Sequence, residues 1–166
     1  MMHAMDEHVV QDTRPLSTAI YGTILVLAVI AALSHDPGLG PGEVLAGMLG
    51  SSLVYWMAHL YADVLGRRAA GVVEPLPAMV AEAATVEWPL VEAALLPAIP
   101  LVLGMLGILD RGPAVTLAVI VALADLLIWG YVAGRRSGLS RVAALAGGLG
   151  AVALGTVMVL LKNALK

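Results

Sequence analysis

Cysteine is absent from the 166 residues, so no disulfide framework, thiolate nucleophile or cysteine-ligated metal centre is available to the chain. Charge is scarce as well: Asp, Glu, Lys and Arg together make up 13% of the residues, against roughly 25% in a soluble domain. Nine basic and twelve acidic residues leave a net charge of −3. That balance offers no basic stripe to a phosphate backbone, and nucleic acid is excluded as a partner class. Also missing are a nucleophile elbow, a phosphate-binding loop, an HExxH pair and a redox motif. An enzyme of the soluble type is excluded with them, and the chain is not read as an enzyme.

What is present is apolar. Hydrophobic residues account for 60% of the chain, with a mean hydropathy of +0.94, more than a fold of this length can hide from water. Several runs approach the roughly 20 apolar residues that a helix needs to cross a hydrocarbon core about 30 Å thick. The fold class this implies is all-α: a polytopic membrane helical bundle surrounded by lipid, expected in the plasma (inner) membrane.

Residues 1–15 read as a polar N-terminal tail containing His3, Asp6, Glu7 and His8, and residues 16–166 as the transmembrane domain. The first span is Leu16 to Leu33. A Pro/Gly-rich loop from His35 to Glu43 ends it, because proline lacks an amide hydrogen and clashes with the preceding turn. Span two runs from Val44 to Gly66 and is closed by Arg67 and Arg68. The stretch to Thr85 can form a brief interfacial helix. Span three, Val86 to Leu109, is expected to bend near Pro97 to Pro100. After the turn Asp110 to Pro113 come span four, Ala114 to Ala133, and span five, Val142 to Leu161. With the N-terminus inside and the C-terminus outside, the inner segments hold Arg14, Arg67, Arg68, Arg135, Arg136 and Arg141, and the outer ones only Arg111, Lys162 and Lys166. The positive-inside rule favours that orientation.

Small residues at Ala143, Gly147, Ala151 and Gly155 recur at helical spacing on span five. Such a face serves close helix contact within the bundle or between copies, and a homodimer or higher homo-oligomer is expected.

Ionisable side chains inside the spans carry the functional signal, since each costs about 2.5–3.5 kcal/mol near the bilayer centre. Counted from the inner helix ends, His59, Glu92 and Asp125 fall at one depth, about 9–12 Å in. Tyr21 and Thr23 reach a comparable depth. Asp63 and Glu87 lie nearer the surface. A histidine with several carboxylates suits Fe²⁺, Mn²⁺ or Zn²⁺, or a proton relay. The candidate metal set is therefore His59, Glu92 and Asp125, with Asp63 and Glu87 as an inner vestibule, and the first three are expected to point toward one another. Blander roles compete. Asp63 stands four residues before Arg67 and can pair with it, Glu87 beside Trp88 can anchor at the interface, and His59 can make an interhelical hydrogen bond.

Three segments, STAIYGTILVLAVIAAL, LAGMLGSSLVYWMAHLYADVLGRR and EAALLPAIPLVLGMLGIL, resemble the membrane part of the vacuolar iron transporter family. The resemblance implies five spans, an inner N-terminus and a dimer. It departs from that family at ligand positions: Leu25 stands where an Asp is expected, and Tyr61 where a Glu should follow Met57 by four residues. The expected function is a small transporter or channel-like protein for a divalent cation or protons. The alternative is a non-transporting accessory or structural subunit whose buried polar residues hold helices or a partner together.

Overall fold

The computed structural model describes residues 2–164, with side chains described for residues 16–161 and 164. Among these the chain is helix and turn without a strand. The elements are α1 (Met2–Ser34), α2 (Pro41–Ala69), α3 (Leu76–Glu87), α4 (Pro89–Glu92), α5 (Leu95–Met105), α6 (Arg111–Arg136) and α7 (Arg141–Ala164). The backbone of α1 is helical from Met2, ahead of the apolar span that begins at Leu16. The side chains of His3, Asp6, Glu7 and His8 lie outside the described residues.

Helix ends follow from local chemistry. After α2 the chain turns through Gly71 at φ 80°, with the Gly71 amide bonded to the Arg68 carbonyl and the Val72 amide to the Arg67 carbonyl, both at 3.1 Å. This paired closure needs a left-handed residue, which glycine adopts without a steric penalty, and it recurs after α5 at Gly107 and after α6 at Gly138. Arg67 and Arg68 end α2, and Arg135 and Arg136 end α6, where positive charge complements the exposed carbonyls. At the opposite end of α6, Arg111 reaches across the α1–α2 loop. Its guanidinium donates to the carbonyls of Ser34, Asp36 and Leu39 at 3.1, 2.6 and 2.6 Å.

Four helical segments are each long and apolar enough to cross a membrane: Leu16–Ser34, Pro41–Ala69, Arg111–Arg136 and Arg141–Leu161. A fifth crossing exists if Leu76–Glu92 and Leu95–Met105, bent by 51°, count as one. The 11 residues of α5 reach only about 16 Å at 1.5 Å per residue, so α5 alone falls short of a hydrocarbon core.

The bend lies at Ala93–Ala94, about a turn before the Pro97–Pro100 position expected from the sequence. Proline disturbs the carbonyl four residues ahead of it rather than its own turn: Pro97 withdraws the donor that Ala93 would use. The Ala93 amide still makes an α-helical bond to the Pro89 carbonyl (3.1 Å), and the backbone tightens at the next residue, where the Ala94 amide bonds to the Val91 carbonyl three residues back (3.0 Å).

Helix α1 occupies the middle of the bundle. Val26 and Ile30 pack with Val44, Met48, Ala94, Leu101 and Ala118, while Leu27 packs with Ala122 and Leu126. Half of its apolar window is buried, against 17% for α2, whose outer face exposes Met57 and Tyr61. Helices α6 and α7 pack through small residues. A β-carbon on Gly130 would stand 2.7 Å from the Gly148 backbone, and one on Gly134 would stand 2.8 Å from Ala144. The working small-residue line on α7 is therefore Ala144, Gly148, Ala151 and Gly155. It differs in phase from the expected face at its N-terminal end, where Gly147 is exposed.

Candidate functional site

Two separate depressions hold the ionisable residues singled out from the sequence. The first opens between α1 and α2, has a volume of about 470 Å³, and is lined by Ser17, Thr18, Tyr21, His59, Asp63 and Glu87 among others. Tyr21 lies against the His59 ring, the centroids 5.5 Å apart and the planes tilted by 52°. One imidazole nitrogen, Nδ1, is 2.9 Å from the Tyr55 carbonyl one turn back. Because Tyr55, His59 and Asp63 follow at four-residue spacing, one face of α2 carries all three.

Asp63 is paired with Arg67, as the spacing had suggested. The Arg67 Nε lies 2.8 Å from Asp63 Oδ2, and its other arm reaches Glu82 Oε2 on α3 at 2.9 Å. This clamp fixes α3 against the end of α2. A second tie comes from Trp56, whose indole donates to the Ala84 carbonyl at 3.2 Å and whose ring meets Trp88 edge-on at 6.0 Å. Glu87 thus sits at the rim of the cleft, on a helix held in place by neighbours other than itself.

The second depression is smaller, about 70 Å³, and is lined by Ala19, Pro89, Glu92, Ala93, Leu96, Asp125 and Trp129. Asp125 comes from the middle of α6 and is 5% exposed. Thr23 of α1, fully buried, places its hydroxyl oxygen 3.0 Å from Asp125 Oδ2. The same oxygen lies 3.0 Å from the Ala19 carbonyl. Trp129, one turn along α6, lines the same pocket. Every one of these partners is neutral, and among the described residues no cation forms an ion pair with Asp125.

Glu92 arrives at this pocket because α4 can lie directly on α1. A β-carbon on Gly22 would stand 3.1 Å from both the Leu90 backbone and the Ala93 side chain, so glycine admits this approach where a larger residue would make α4 give way by a few tenths of an ångström. Glu92 itself is exposed, at the last position of α4 where the helix breaks. Space of 70 Å³ beside it is enough for water.

The expected convergence of His59, Glu92 and Asp125 does not occur. Residues that share a depth need not share a side of a helix: α1 stands between the two depressions, with Tyr21 facing His59 and Thr23 facing Asp125. Among the described residues no group of three His, Asp or Glu side chains gathers closely enough to hold a metal ion. The structure brings His59, Asp63 and Glu87 to one cleft and Glu92 and Asp125 to another. Trp129 and Arg111 were not singled out in the sequence. An indole one turn from a carboxyl group within an apolar helix is the available signal for the former. Comparison of the chain with protein-family models, with curated proteins and with solved structures finds no match.

Proposed function

We propose that this chain is a small integral membrane transporter or channel-like protein for protons or a divalent cation, with Asp125 and Glu92 as its intramembrane groups. The observation that carries the reading is Asp125: a carboxyl group 5% exposed, midway along an apolar helix, with only neutral hydrogen-bond partners. A carboxylate taken out of water without a counter-charge costs several kcal/mol. A proton or cation arriving from solution would remove that cost, and its departure would restore it. The break between α4 and α5 adds weight, since discontinuous helices are where backbone polar groups become available at membrane depth.

The cleft around His59 would serve as a vestibule on the inner side, its hydroxyl, imidazole and carboxyl groups holding water and cations near the membrane surface. A divalent cation at the Asp125 pocket would have to complete its shell with water or with groups from a second copy, because two carboxyl groups are too few. A proton needs neither.

The second reading, an accessory subunit, is supported by the Thr23–Asp125 contact, which by itself ties α1 to α6. Flux separates the two. In proteoliposomes containing the full chain, Asp125→Asn should abolish proton or metal flux and Glu92→Gln should reduce it. Native vesicles that pass neither protons nor Fe²⁺, Mn²⁺ or Zn²⁺ faster than empty ones would leave the accessory reading.

A further inference from the structure

The contact between Thr23 and Asp125 raises a question of hydrogen count. Thr23 Oγ1 carries one hydrogen, yet two oxygens lie 3.0 Å from it: the Ala19 carbonyl and Asp125 Oδ2. A carbonyl oxygen has no hydrogen to give, and an ionised carboxylate has none either. With Asp125 ionised, the single Thr23 hydrogen would have to be split between two acceptors or leave one contact without a hydrogen, at a site where Thr23 is fully buried and Asp125 is 5% exposed. Polar atoms so fully covered by protein are ordinarily paired.

We infer that Asp125 is a proton-binding site whose carboxyl O–H donates to Thr23 Oγ1, while the Thr23 hydroxyl donates to the Ala19 carbonyl. Both 3.0 Å contacts are then hydrogen bonds, and each hydrogen is used once. On loss of the proton to solvent, Thr23 must turn its hydrogen from Ala19 to the carboxylate. The threonine hydroxyl therefore reports the protonation state of α6 to the backbone of α1. This deepens the transport reading and rests on it only for its consequence, since it names the proton as what the Asp125 carboxyl group carries.

The surroundings fit a proton better than a metal. Among the described residues Glu92 of α4 is the other titratable group lining the pocket, and Trp129 on α6 is a donor that metal coordination cannot use. Helix α5 contains no ionisable residue, and α7 carries them only at its ends. A proton can reach the carboxyl group through water in the 70 Å³ space that opens beside it.

Infrared difference spectroscopy between acid and alkaline pH, on the full chain in lipid bilayers, tests the inference directly. A carbonyl-stretch band of a hydrogen-bonded carboxylic acid is expected, shifted by carbon-13 labelling of aspartate and absent from Asp125→Asn. Thr23→Val should move that band, and Thr23→Ser should restore it. The serine and valine pair keeps the test decisive even if Asp125→Asn fails to fold. A protonated-aspartate band that is missing from the native protein, or that is unaltered by both Asp125→Asn and Thr23→Val, overturns the inference. Proton flux measured in the same vesicles fails independently: a band without flux rejects transport and leaves the proton site, whereas flux without the band rejects the proton site.

Discussion

Gly148 of α7 faces the Leu127 carbonyl of α6 so closely that a β-carbon there would stand 2.7 Å from the oxygen and 3.2 Å from the Tyr131 amide nitrogen. Backbone cannot swing aside as a side chain can, so any larger residue must push the two helices apart. Gly147, its neighbour, is exposed, and a β-carbon would find nothing nearer than 3.8 Å. Gly148→Leu is expected to cost at least about 1–3 kcal/mol, the usual range for overpacking. Gly147→Leu should stay within about 0.5 kcal/mol of the native protein. Thermal unfolding midpoints in one detergent check the pair, and equal losses would contradict the observed phase of α7.

The Arg67 clamp between Asp63 and Glu82 lies at the polar end of α2, where salt reaches it. An exposed ion pair contributes about 0.2–1 kcal/mol, and the loss of Glu82 alone should fall there. Arg67→Gln breaks both contacts at once, whereas Glu82→Gln breaks one, so the larger effect is expected for arginine. Amide exchange in α3 should quicken in both variants. High salt should narrow the gap between native protein and Glu82→Gln, because screening weakens the contact already.

Pro97 is expected to hold the break that positions Glu92. Replacing it with alanine returns a donor to the Ala93 carbonyl, a bond with a net value of about 0.5–1.5 kcal/mol. Pro97→Ala should therefore leave stability unchanged or raised while straightening the α4–α5 bend of 51°. Spin-label distances between α3 and α5 would report the straightening. If flux depends on Glu92 at the bend, it should fall in this variant without any loss of folded protein.

Much of this arrangement was legible in the linear sequence, and the parts that were not have a common cause. Apolar run lengths and Pro/Gly clusters located the connections at His35, Gly71, Gly107 and Gly138 to within a few residues, because each depends on local backbone chemistry. The Asp63–Arg67 pair was legible for the same reason: four residues on one helix fix the distance. The common level of Thr23 and Asp125 was legible too, since rise per residue is constant, and their side chains meet at 3.0 Å. Rotation was not. Whether His59 and Asp125 meet depends on which sides of α1 their helices occupy, and on the close approach of Leu90 to Gly22, neither of which periodicity encodes. The displaced bend before Pro97 shows the same limit in miniature, because the residue that causes the break and the carbonyl that loses its partner are four positions apart.

Separation of the two depressions by α1 leads to a last expectation, about coupling. Side chains in contact or in one hydrogen-bond network interact by about 0.5–3 kcal/mol, whereas independent sites add within about 0.3–0.5 kcal/mol. Thr23 and Asp125 share a 3.0 Å contact, so the cycle Thr23→Val, Asp125→Asn should show a clear interaction energy. His59 belongs to the other cleft, where its ring meets Tyr21 instead. The cycle His59→Ala, Asp125→Asn should therefore be additive in unfolding free energy, while His59→Ala, Tyr21→Ala should not be. In the proposed transporter the two clefts act in series, so flux in the double variant is expected to depend on both sites even where stability is additive. Strong coupling between His59 and Asp125 in stability would mean that the two clefts form one packed unit after all, and the division of the site by α1 would have to be abandoned.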